Sequence, residues 1–95
     1  MAIENLSAEA RTIILEVSKD HNGMLLCTTS FSGTSFIVGG KDLCSDKSPR
    51  TVAKWKSAMD HLIALDILEP RGHKGEVFAL TAIGFDIADT LKSKS

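Results

Sequence analysis

Apolar residues recur every three to four positions in three stretches of the chain and alternate with polar ones in two pairs of shorter runs. Behind Ser7, a natural N-cap, Ala10, Ile13, Ile14 and Val17 form one helical face, with Glu9 in the first turn. Asp20-His21-Asn22-Gly23 stops this helix, since Asn and Gly accept the left-handed conformation of a helix end. Met24–Ser30 and Thr34–Val38 are rich in β-branched and apolar residues, and Ser32-Gly33 between them marks a turn. They predict a hairpin that Gly39-Gly40 ends. Lys41–Lys47 is a polar connector with room for one irregular helical turn. Ser48-Pro49 opens a second helix, serine as N-cap and proline at the first helical position. On its wheel Val52, Trp55, Ala58, Met59, Leu62, Ile63 and Leu65 fall on one arc, which puts Trp55 in the core. Asp66–Pro70 reads as a short strand that Pro70 stops, and Glu76–Leu80 as a strand returning beside it. Thr81 caps a last helix reaching about Leu91, with Ile83, Ile87, Ala88 and Leu91 inward and Gly84 packed closely against the preceding hairpin or the first helix. The predicted fold is α+β, in the order helix, strand, strand, helix, strand, strand, helix.

Composition narrows this to one globular domain over 1–95. Apolar residues are 43% and charged residues 24%, enough for a single core. No apolar run approaches the roughly 20 residues that span a bilayer, and no charged-then-apolar leader opens the chain, so the expectation is a cytoplasmic protein without a membrane segment.

Net charge is −1, which argues against an indiscriminate polyanion binder, but the charge is unevenly spread. Residues 1–40 carry two cations against four carboxylates, residues 41–75 carry seven against five, and residues 76–95 carry two against three. The positive excess sits on the second helix and the hairpin after it. Arg50, Lys54, Ser57 and His61 step by three and four along the helix face opposite the apolar arc, and Arg71-Gly72-His73-Lys74-Gly75 is a turn with two glycines and two fixed positive charges.

A long helix, a short strand, a basic glycine-containing loop, a returning strand and then Leu80-Thr81-x-x-Gly84 resemble the second half of a winged-helix domain. The resemblance covers roughly half the chain, and its motifs are moderately specific. It is also similar to the winged-helix modules that close larger bacterial proteins. The family implies that the long helix is a recognition helix and the hairpin a wing: a winged helix with three helices, with a hairpin at 24–38 in place of most of the second helix that the family places there. It implies a regulatory, nucleic-acid-binding module contacting DNA through the 48–66 helix and the 67–80 wing. Arg50, Lys54, Ser57 and His61 would face a major groove, and Arg71, His73 and Lys74 phosphate or minor groove. The missing second helix removes one support for docking on a phosphate backbone. The near-zero net charge and the extra hairpin favour the alternative, a winged helix that docks on a protein partner, on its parent chain or on a second copy as a homodimer, without binding nucleic acid.

No catalytic or cofactor site is expected. Cys27 and Cys44 form no C-x-x-C pair and have no histidine at ligand spacing, so two reduced thiols are expected rather than a metal site or a disulfide. Gly39-Gly40-Lys41 lacks the rest of a phosphate-binding loop, and Asp60 and Asp66 point apart on their helix, so no acid–base pair follows. An enzyme is not the expectation.

Overall fold

The computed structural model describes residues 6–20, 23–30, 33–44, 46, 48–71 and 77–94. Ser7 caps α1 (Ala8–Lys19): its hydroxyl accepts the Ala10 N–H at 3.1 Å. The expected hairpin forms from β1 (Met24–Ser30) and β2 (Gly33–Val38), with Thr28 opposite Ser35 and Leu26 opposite Ile37. A second, tighter hairpin follows it. Gly39 (φ 59°) and Gly40 (φ 81°) make a two-residue turn with both φ positive, matched to strand twist, and β3 (Lys41–Asp42) returns against Val38 and Ile37. The connector therefore begins as a strand rather than a helical turn, because two successive glycines let the chain reverse within two residues.

Ser48 caps α2 (Pro49–Ala64), accepting the Thr51 N–H. The end of α2 differs from the expected strand start. Asp66 has φ 63°, its N–H bonds to the Ile63 carbonyl, and the Ile67 N–H reaches back to the Leu62 carbonyl at 2.9 Å. This is a Schellman-type helix end with an aspartate in the position glycine usually takes. Strand β4 (Leu68–Arg71) starts two residues later and continues through Pro70, because β4 is an edge strand that can leave one ladder donor missing. It pairs with β5 (Val77–Leu80), Leu68 opposite Leu80. The last helix, α3 (Ala82–Lys94), runs a turn beyond Leu91.

The two hairpins are joined in one antiparallel sheet of order β3-β2-β1-β5-β4, because β1 pairs with β5 as well as with β2. Helix α1 lies at the centre of the helical layer, touching α2, α3, β1 and β5. The core gathers Ile13, Ile14 and Val17 of α1, Leu25 and Phe36 of the sheet, and Met59 and Leu62 of α2. Trp55 is half-buried at the margin of that core, its ring centroid 6.3 Å from Phe36. On α3 the inward positions are Gly84, Ile87 and Ala88, while Ile83, expected inside, is 42% exposed. The shift has a local cause. A Cβ at Gly84 would lie 2.5 Å from the Ile67 carbonyl oxygen and 2.8 Å from Leu80 Cδ2, so α3 turns its bare glycine to that junction and rotates Ile83 outward.

Candidate nucleic-acid interface

The amphipathic pattern of α2 sets the site. Ala58, Met59 and Leu62 are buried, Val52, Trp55 and Ile63 pack at the core margin, and Arg50, Lys54, Ser57 and His61 are all exposed on the other side. The stripe from Arg50 to His61 is about 16 Å long at 1.5 Å per residue. Among the described residues no ion pair involves Arg50 or Lys54, whereas Lys56, off the stripe, meets Asp60 at 3.2 Å. Helix geometry thus brings four of the seven expected contact residues onto one solvent-facing line and leaves its two fixed cations without a carboxylate.

Arg71 stands apart from this stripe, at the end of β4, and its guanidinium is 2.7 Å from Glu69. Residues two apart on a strand share a face, so the ion pair follows from the pleat, and it offsets part of the charge that Arg71 brings to a phosphate. His73 and Lys74 lie outside the described residues.

One group at this surface has the opposite sign. Asp46, just ahead of α2, accepts the Ser48 N–H at 3.0 Å and the Thr51 hydroxyl at 2.8 Å. The Ser48 amide first, and the Thr51 and Ser48 hydroxyls after it, hold its carboxyl below the usual carboxylate range although it is exposed. An ionised carboxylate therefore occupies the positive end of the helix dipole, where a phosphate would otherwise dock, and leaves anion contact to the stripe side chains. The spacing Asp46-x-Ser48-x-x-Thr51 is the signal for this cap, and it is hidden when 41–47 is read only as a connector.

Among the described residues the two cysteines form no reactive site. Cys44 is buried, its thiol donating to the Asp46 carbonyl at 3.1 Å, and Cys27 is half-buried; neither is in a disulfide. Among the described residues no group of three or more His, Cys, Asp or Glu is placed to hold a metal ion, and no helix is long and apolar enough to cross a membrane. No protein-family model matches the chain, and neither a curated protein nor a solved structure is significantly similar to it.

Proposed function

We propose that the chain is a winged-helix module that binds duplex DNA, with α2 as the recognition helix and the β4–β5 hairpin as the wing. The observation that carries this reading is the α2 stripe: Arg50, Lys54, Ser57 and His61 exposed on one line, with Arg50 and Lys54 outside every ion pair among the described residues. A cation without a carboxylate partner has no ion pair to give up when it meets a phosphate, and a helix about 10–12 Å across fits the major groove. The hairpin supports the reading in a second way, because β5 is held between β4 and β1 and so anchors the wing to the sheet.

The charge available limits the affinity. Two stripe cations, with Arg71 partly offset by Glu69, neutralise few phosphates, so binding is weak and sensitive to salt. The test is a titration with generic duplex at several salt concentrations. The expected log–log slope of affinity against salt is roughly −2 to −4, at about 0.9 per phosphate neutralised. Arg50→Ala with Lys54→Ala should flatten it by about two units, leaving the fold intact because both side chains are exposed. Absence of binding at low salt, or a slope that the double replacement leaves unchanged, would remove the nucleic-acid reading.

A further inference from the structure

The three helices cover one face of the sheet, and the other face is apolar at its centre, bordered by Thr28 and Ser35. Register assigns its residues. Leu26 of β1 lies opposite Ile37 of β2 on one side and Val77 of β5 on the other, Ile37 lies opposite Asp42 of β3, and Val77 lies opposite Arg71 of β4. Directly paired residues share a face. A single row therefore crosses all five strands: Asp42, Ile37, Leu26, Val77, Arg71. The next row holds Met24, Ala79 and Glu69. Met24 is 43% and Leu26 36% exposed, and Ile37 and Val77 are half-buried without packing on the core cluster. A shallow depression of about 420 Å³, lined by Met24, Leu26, Ile37 and Val77 among others, opens onto the same face. The free face of an antiparallel sheet is ordinarily polar, and a contiguous apolar patch at its centre marks an interaction surface.

We infer that this face is the contact between two copies of the chain, packed sheet to sheet about a twofold axis that runs along β1. The order of the row selects the occupant and the axis, with each end already engaged within its own chain: Asp42 Oδ1 accepts the Phe36 and Cys44 amides, and Arg71 meets Glu69 at 2.7 Å, so a contact across the axis adds to these bonds. The row reads acid, three apolar residues, base. A half-turn about an axis parallel to the central strand reverses the row, so Asp42 of each copy faces Arg71 of the other, Ile37 faces Val77, and Leu26 meets its own counterpart. A twofold axis across the strands would instead set Asp42 against Asp42 and Arg71 against Arg71. The pattern is self-complementary in the way an isologous interface requires, and only in that orientation. The second row agrees. The same rotation sets Glu69 of one copy over the Gly39-Gly40 turn of the other, which carries no charge and no side chain.

The contact is small. Four strand spacings of about 4.8 Å across two same-face rows about 7 Å apart give roughly 19 by 7 Å of face between Cα positions. Interfaces well below about 1,200 Å² are weak and transient, so the dimer forms with rising concentration rather than as an obligate pair. It leaves the α2 stripe uncovered and is tested without nucleic acid, although Arg71 belongs to both proposed contacts and can serve only one at a time.

Sedimentation equilibrium from about 10 μM to about 1 mM spans the affinities that such an interface supports. The expected result is a monomer at the low end and a dimer at the high end. Leu26→Lys, at an exposed position, should leave a monomer throughout, and Arg71→Glu should weaken association about tenfold by setting like charges together. Asp42→Asn keeps an oxygen to accept the Phe36 and Cys44 amides and should weaken it about threefold. Circular dichroism of each variant verifies that the fold is kept. In a mixture of isotope-labelled and unlabelled protein, filtered NOEs should join Ile37 methyls of one copy to Val77 methyls of the other. A monomer at the highest concentration would overturn the inference. So would a dimer that Leu26→Lys does not affect, or one that Arg71→Glu leaves as tight.

Discussion

Asp66 shows how one backbone angle can outweigh local propensity. Its position in sequence, after the apolar arc of α2 and before Ile67 and Leu68, suits the first residue of a strand. The chain uses it instead as the left-handed residue that ends α2, at φ 63°, with the Ile67 N–H returning to Leu62. Left-handed backbone costs an ordinary L-residue about 1–2 kcal/mol, and aspartate less, while glycine adopts it freely. The Asp66 side chain is exposed, and the bonds made at this position are backbone ones: its N–H to Ile63 and its carbonyl to the Thr81 hydroxyl at 2.6 Å. Glycine retains both. Asp66→Gly should therefore stabilise the domain by about 0.5–1 kcal/mol, the relief of the left-handed angle less glycine's greater unfolded-state entropy. Urea denaturation reads this as a higher midpoint at unchanged slope. A lower midpoint would mean that the carboxylate itself supports the helix end.

Between elements, the junction of α2, β4 and α3 is closed by groups too small to stand out in a pattern of apolar residues. Thr81 accepts the Gly84 N–H at 3.1 Å and donates to the Asp66 carbonyl, so one hydroxyl caps the start of α3 and the end of α2 together. Gly84 then lets α3 sit against the Ile67 carbonyl. Gly84→Ala sets two effects against each other. Helix propensity favours alanine by about 1 kcal/mol. Overpacking costs about 1–3 kcal/mol, and here the nearest atom is backbone, 2.5 Å from the added carbon, which cannot rotate aside. The contact should win, with a net loss of about 1 kcal/mol or more in a thermal or urea melt. A gain would mean that α3 slides outward freely. The need for close packing at Gly84 was legible in sequence, because a glycine inside a helical pattern asks for a reason. The hairpin was one of the two expected partners and supplies Ile67 and Leu80; the rotation of α3 that this contact sets, and with it the outward turn of Ile83, was not legible. The caps at Ser7, Ser48 and Thr81 were legible because they depend only on residues within one turn. The stripe of Arg50, Lys54, Ser57 and His61 was legible for the same reason, since periodicity alone decides which face of α2 is wet. The pairing of Arg71 with Glu69 was not, because the strand Asp66–Pro70 was expected to stop at the proline.

At the scale of the whole chain, the decisive strand pairing is the one furthest apart in sequence. Met24–Leu26 pairs with Val77–Ala79, so the first hairpin and the last are one sheet. Alternation along a strand tells which face a residue occupies, not which strand lies beside it, so this pairing could not be read from the local pattern. The run Met24-Leu25-Leu26 carried a partial signal, since three apolar residues in a row leave at least one on the face away from the helices whichever way the strand turns. The pairing also makes the halves mutually dependent. Residues 24–38 have no helix of their own to cover Leu25 and Phe36; that cover comes from α1 and from α2 through Trp55. A two-stranded hairpin alone is marginal in water. The radius of gyration, 12.5 Å, is that of one compact unit, about 12 Å being usual for a chain this long. The domain should therefore unfold in a single step. Trp55 fluorescence reports the α2–β2 contact and far-ultraviolet circular dichroism reports the helices, so the two urea transitions should coincide. Trp55→Ala, followed by circular dichroism alone, should cost about 2–3 kcal/mol of stability, less than the loss of a fully buried tryptophan because the ring is only half-covered. If fluorescence is lost at lower urea than helicity, the β1–β2 hairpin and Trp55 form a separate, weaker unit, and the β1–β5 pairing does not carry cooperativity across the sheet.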